Sequence, residues 1–158
     1  MPPALMIAVI GAGDAPDEVC TRAREVGREI ASRGAVLING GRSGVMRAAA
    51  EGARSAGGHV IGIIPSYDKA GANEFCEFVI ATGMGEARNA IIIASADAVI
   101  ALEGEGGTLA EIGFAIKMKR PIVALDSWPK IDGLRRAVSA REAVELALRL
   151  AAGVKSSR

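Results

Sequence analysis

Four times along this chain a short run of aliphatic, often β-branched residues ends in a glycine-bearing turn. Gly11-Ala12-Gly13 follows Leu5–Ile10, Gly40-Gly41 follows Val36–Ile38, Thr82-Gly83 follows Phe78–Ala81, and Gly104 to Gly107 follow Ala98–Leu102. Each turn leads into a segment with helical apolar spacing. Strands that repeatedly pass through a tight turn into a helix pack as a parallel sheet covered by helices on both faces. The expected class is α/β, a three-layer α/β/α sandwich with a mostly parallel sheet.

The individual elements follow from local signals. After the first strand a helix is expected from about Ala15 to Arg33, with Asp14 as a cap, Pro16 in its first turn, and Val19, Ala23, Val26 and Ile30 as its apolar stripe. Gly34 ends it. A second helix starts near Ser43 and carries an alanine-rich face to about Ala56, where Gly57 and Gly58 stop it. His59–Ile64 read as a third strand, Pro65–Glu74 as a loop, Gly85–Ala96 as a helix and Ile122–Leu125 as a sixth strand that closes the sheet. Asp126–Val138 look irregular. Ser139 and Glu142 form a capping box opening a last helix to about Ala152, and the tail Gly153–Arg158 is expected to fray.

Composition narrows the function classes. The chain has 158 residues, which suits one domain spanning 1–158, and its 50% hydrophobic but only 3% aromatic content implies a core of Ala, Ile, Val and Leu. With 19 Lys+Arg against 18 Asp+Glu and no basic block, no nucleic-acid partner is expected. The stretch from Ala90 to Leu102 is interrupted by Ser95 and Asp97, so no membrane span is expected either. Cys20 and Cys76 lie far apart without a CxxC, which signals buried thiols in a reducing, cytoplasmic setting and no metal site. The apolar N-terminus lacks a basic flank and reads as a first strand, not a signal peptide.

In an open parallel sheet the carboxyl ends of the strands share one edge, and ligands bind there where the strand order reverses. The glycine turns are therefore expected to converge on one crevice of a Rossmann-like domain. A dinucleotide fingerprint is not met: Pro16 stands at the third glycine of GAGDAP, and Asn39 replaces the acid that would hold a ribose diol. No Walker A loop occurs. The segment EGEGGTLAE at 103–111 joins a glycine-rich turn to a helix start, where backbone N–H groups and the helix dipole favour an anion such as a phosphate.

Three motifs together carry a resemblance. GGRSGVM at 40–46, the arginine of GEARN at 85–89 and GGTLAE at 106–111 resemble the G-G-x-x-G-x-M turn, the M-H-x-R-K segment and the P-G-G-x-G-T-x-x-E loop of the Lonely-Guy (LOG) superfamily. The likeness runs from about residue 5 to 125 and is greatest to a short branch that includes molybdenum-cofactor carrier proteins. Lonely-Guy members cleave the N-glycosidic bond of cytokinin riboside 5′-monophosphates, and often of AMP. The resemblance implies Arg88 and Glu111 as the catalytic pair. It implies ligand or phosphate contacts from Gly11, Gly13, Gly40, Gly41, Ser43, Gly44, Met46, Asn89, Gly104, Gly106, Gly107 and Thr108. A carboxylate beside a ribose can stabilise an oxocarbenium-like transition state or activate water, and a guanidinium can hold phosphate oxygens. No cofactor or metal is required for that chemistry. The implied ligand is a nucleoside monophosphate or, for a carrier, molybdenum cofactor, and relatives assemble as homodimers or homotetramers.

Two departures bear on the site. Glu103 and Glu105 replace the family's Pro and second Gly, and a carboxylate 4 Å from a phosphate repels it by roughly 1 kcal/mol or more. Structural alternatives stand beside the functional ones. Thr108 and Glu111 have the spacing of a capping box, and Arg88 could pair with Glu86 or Glu111. The glycines at 40, 41 and 44 could serve the turn alone. His59 reads as a strand-end residue, Tyr67 and Trp128 as covers of the crevice or an interface, and Ser66 and Asn73 as parts of a loop near a ligand.

Overall fold

The computed structural model describes residues 2–125 and 128–157. Its elements, in chain order, are β1 (Met6–Ile10), α1 (Asp17–Ser32), β2 (Val36–Asn39), α2 (Val45–Ser55), β3 (Val60–Ile64), β4 (Phe78–Ala81), α3 (Arg88–Ser95), β5 (Ala98–Ala101), α4 (Gly106–Lys117), β6 (Ile122–Leu125), β7 (Leu134–Ala137) and α5 (Ala140–Ser156). The strands lie in the order β4-β3-β2-β1-β5-β6-β7. All six pairings are parallel. The fold is thus Rossmann-like α/β, with its strand order reversing between β1 and β5.

Alternation along the strands builds two cores, because successive strand side chains point to opposite faces. Ile7 and Val9 of β1, with Leu37, Val60 and Ile100 of its neighbours, pack against Val19, Ala23, Val26 and Ile30 of α1, the alanines of α2, and Ala143, Val144 and Ala147 of α5. On the other face Ala8, Ile10, Ile38, Ile63 and Val99 pack against Ile92 and Ile93 of α3 and Ile112 and Ala115 of α4. Helices α1 and α2 meet very closely: a Cβ at Gly27 would stand 1.9 Å from the Ala49 carbonyl oxygen, and one at Gly52 2.0 Å from that of Arg24. This contact fixes where α2, and the turn that opens it, meets the sheet edge.

Several expectations are corrected. A seventh strand, Leu134–Ala137, lies within the segment expected to be irregular, so β6 does not close the sheet; Asp126 and Ser127 of that segment lie outside the described residues. The last helix continues to Ser156, where the Ser156 and Ser157 hydroxyls donate to carbonyls one turn back. The segment expected as one helix over 85–96 begins as a single 3-10 turn, Gly85–Ala87, before α3. Asp14 does not cap α1, whose N-cap is Pro16, and Ser43 lies before the Gly44 N-cap of α2. Ser139 does cap α5, accepting from the Glu142 N–H at 3.1 Å. Both cysteines are half-buried, not fully buried, and burial pushes the Cys76 thiol up to about 11. No helix among the described residues is long and apolar enough to cross a membrane.

Candidate functional site

The reversal between β1 and β5 leaves a gap at the carboxyl edge, and the loops around it are laced together by main-chain bonds. The Ala12 N–H donates to the Glu103 carbonyl at 2.8 Å, joining the loops that follow β1 and β5. The Val45 N–H donates to Ala12 O at 3.0 Å, and the Ser43 hydroxyl donates to Gly13 O at 2.7 Å. Inside the turn after β2, the fully buried Asn39 accepts from the Gly41 N–H and donates to Met46 O, both at 2.9 Å. Asn39 thus holds the GGRSG turn in shape. That turn also needs Gly44: its φ is 63°, and a Cβ there would lie 2.3 Å from the Ala12 carbonyl oxygen.

Arg88 opens α3 and is 5% exposed. Its Nε donates to Ile63 O at 2.9 Å, one Nη to Gly40 O at 3.3 Å and the other to Asn89 Oδ1. Asn89 in turn donates to Glu86 at 3.3 Å. Arg88 therefore forms no direct ion pair with Glu86 or Glu111 but bridges the ends of β2 and β3. The approach is close enough that a Cβ at Gly40 would stand 2.8 Å from an Arg88 Nη. Burial lowers the guanidinium's pKa, partly offset by Glu111, though an arginine stays protonated at neutral pH.

Helix α4 begins at Gly106 with Glu105 as its N-cap, and no side chain caps it. Its first N–H groups have no intrahelical acceptor. Open space surrounds Gly106 and Gly107. The capping box of Thr108 and Glu111 is not formed, because the helix starts before Thr108 and encloses both residues. Thr108 is buried against Gly104, where a Cβ would meet its hydroxyl at 2.1 Å. The Glu111 carboxyl, one turn on, makes no hydrogen bond among the described residues, and desolvation pushes it up to about 7 against the pull of Arg88. Such an elevated carboxyl in a cleft marks a candidate site for proton transfer.

These groups line one cavity of about 360 Å³, within the roughly 300–1,000 Å³ of small-molecule sites. Of the residues singled out in the sequence, Gly11, Gly13, Gly40, Ser43, Met46, Arg88, Asn89, Gly107, Thr108 and Glu111 line it, whereas Gly41, Gly44, Gly104 and Gly106 do not. Three of the four glycine turns reach the crevice. Thr82-Gly83 does not, and the Thr82 hydroxyl instead donates to Ile64 O. Neither Tyr67 nor Trp128 covers it; Tyr67 is 88% exposed, and the Trp128 indole donates to Leu102 O at 2.8 Å. The Glu103 carboxylate turns to Arg22 at 2.5 Å, while Glu105 lines the cavity. Asp14, Arg42 and Glu86 also line it. Nothing in their sequence context marks them as site residues, although Arg42 stands inside the GGRSGVM motif.

The SLOG cluster4 family model matches residues 4–152. The chain belongs to that family. A cytokinin riboside 5′-monophosphate phosphoribohydrolase of Mycobacterium tuberculosis is 37% identical over 128 residues, covering 75% of this chain and 68% of the relative. Among solved structures, the molybdenum cofactor binding protein of Rippkaea orientalis superimposes with a TM-score of 0.85 at 31% identity, over 95% of this chain and 98% of that one. The Moco carrier protein of Chlamydomonas reinhardtii does so with a TM-score of 0.86 at 31% identity, over 96% and 99%. The motif resemblance to the Lonely-Guy and molybdenum-cofactor carrier superfamily therefore holds for the chain as a whole.

Proposed function

We propose that this protein binds a phosphorylated, nucleotide-like small molecule in the cavity at the carboxyl edge of β1 and β5, and hydrolyses the N-glycosidic bond of a nucleoside 5′-monophosphate. The observation that carries this reading is Glu111, whose carboxyl is raised to about 7 in the same cavity as the buried Arg88. The phosphate would sit at the uncapped start of α4, on the N–H groups of Gly107 and Thr108 and the Thr108 hydroxyl, with the turns at Gly11–Gly13 and Gly40–Ser43 closing around it. Arg88, with its fork pre-set by the Ile63 and Gly40 carbonyls, would orient ribose or phosphate oxygens.

The anionic form of Glu111 would face the positive charge that develops on the ribose as the C1′–N bond breaks. The bonding pair leaves with the base. Water adds to C1′ and gives its proton to Glu111, while the departing base takes a proton from solvent, so the products are free base and ribose 5-phosphate. A carboxyl near neutrality suits a group that must be charged for one step and receive a proton in the next. Incubation with a panel of nucleoside 5′-monophosphates should release ribose 5-phosphate, and Glu111→Gln should stop release while leaving ligand binding intact. Binding and release both absent across the panel would overturn the reading.

A second reading, molybdenum-cofactor binding without turnover, is supported by the near-complete mutual coverage with the two molybdenum-cofactor proteins and by Glu105 on the cavity wall. Its signature is retention and protection of added molybdenum cofactor by the purified protein, with nucleotides left intact.

A further inference from the structure

Among the described residues, Arg42 is the cation of this cavity that no side-chain partner engages. Arg88 spends three donors on Ile63, Gly40 and Asn89, and the remaining charges on the wall are the carboxyl groups of Asp14, Glu86, Glu105 and Glu111. Among the described residues the Arg42 guanidinium makes no hydrogen bond or ion pair. It is exposed and lines the cavity, and the lowering of the Arg88 pKa, due first to burial, carries a smaller contribution from its charge. With it, two cations face the four carboxyl groups of the wall; without it, Arg88 alone would offset their repulsion of a dianion.

The main chain that carries Arg42 is held from outside the site. Asn73, in the loop between β3 and β4, donates its N–H to Gly41 O and its Nδ2 to Arg42 O, both at 2.8 Å. Its Oδ1 accepts from the Phe75 N–H at 3.0 Å. The same loop is fastened to α2, where Arg47 pairs with Glu74 and lies over the Phe75 ring at 4.9 Å. Asn73 thus fixes consecutive carbonyls of the turn on either side of the Arg42 Cα, which sets the direction in which that side chain leaves the backbone.

We infer that Arg42 is the specificity-determining contact for a phosphomonoester dianion in this cavity, and that Asn73 is the positioning residue that aims it. The inference rests on the nucleotide-binding reading above, with the 5′-phosphate of a nucleotide as the group that Arg42 meets.

The test uses the full chain in a Glu111→Gln background, so that the probe is not consumed, with calorimetric affinities for AMP and for adenosine. Arg42→Ala is expected to weaken AMP by roughly 10- to 100-fold, the range of a charge-assisted bond, while adenosine affinity stays within about twofold. Arg42→Lys should recover part of the loss. Asn73→Ala should reduce the AMP-to-adenosine ratio by a smaller factor, and adding it to Arg42→Ala should change nothing further. Asn73→Asp, which keeps the bond to Phe75 but not the one to Arg42 O, should behave as Asn73→Ala does, and thermal melting reports whether each variant folds. Arg42→Ala binding AMP as tightly as its parent overturns the inference alone. Equal loss of AMP and adenosine on Asn73→Ala overturns the role of Asn73. A parent protein that binds neither AMP nor ribose 5-phosphate overturns both this inference and the reading beneath it.

Discussion

Replacing Glu111 by Gln should stabilise the protein at alkaline pH and not at acid pH. In the unfolded chain this carboxyl has its ordinary value of 4.5, and in the folded protein it is raised to about 7 by desolvation, with Arg88 offsetting part of the effect. Below pH 4.5 both states hold the proton, and the residue contributes no pH dependence. Between 4.5 and 7 the unfolded state loses its proton while the folded state keeps it, so stability falls as pH rises. Above 7 both are ionised, and the accumulated loss is about 3 kcal/mol at 1.36 kcal/mol per pKa unit. Glutamine occupies the same volume, carries no charge and escapes this loss. Melting temperatures at pH 8 should therefore favour Glu111→Gln by several degrees, at roughly 2–4 °C per kcal/mol for a chain of this size. The advantage should shrink towards zero by pH 4. A variant no more stable than the parent at pH 8, or one whose advantage persists unchanged at pH 4, would refute the assignment of a desolvated, ionisable carboxyl at this position.

Further outcomes follow from the close contacts around the same cavity. Gly40→Ala places a methyl group 2.7 Å from Met46 Sδ and 2.8 Å from an Arg88 Nη; nucleotide affinity should fall because Arg88 must move, with stability lower by roughly 1–3 kcal/mol in chemical denaturation. Gly44→Ala combines φ 63° with a Cβ 2.3 Å from a backbone oxygen, so unfolding should shift by at least roughly 1–3 kcal/mol. Arg88→Lys keeps the charge but cannot bridge Ile63 O and Gly40 O as a fork; catalysis measured as ribose 5-phosphate release should drop at least tenfold even where the protein remains folded. Glu103→Gln removes the half-exposed pair with Arg22 and should change stability by no more than about 1 kcal/mol.

Much of this architecture is legible in the sequence because its strands are short aliphatic runs punctuated by glycine. Ile7, Val9, Leu37 and Ile100 sit on one face and Ala8, Ile10, Ile38 and Val99 on the other, the pattern of strands buried on both sides. Strand β7 is not legible for the converse reason. It is an edge strand of sequence LRRA with Arg135 and Arg136 exposed, and charged residues on an edge carry no hydrophobic period. The start of α4 is misread by the spacing of Thr108 and Glu111, since a helix that opens on Gly106 puts the threonine inside its first turn, where the hydroxyl packs on Gly104. In the site, Arg88 and Glu111 stand out as charges within apolar segments. Asp14, Arg42 and Glu86 have the ordinary look of solvated loop residues, and only the folding of their loops onto one cavity distinguishes them. Asn73 is the extreme case: its role is visible solely through its bonds to Gly41 and Arg42, more than 30 residues away for the latter.

The central claim is that one cavity, formed where the loops after β1, β2 and β5 meet α4, receives the phosphate of a small molecule. A crystal structure of the Glu111→Gln protein grown with AMP tests it directly. The account predicts phosphate density within hydrogen-bonding reach of the Gly107 and Thr108 N–H groups and the Arg42 guanidinium, with the ribose beside residues 88 and 111. AMP bound elsewhere on the molecule, or bound in the cavity with its phosphate turned away from α4, would contradict it.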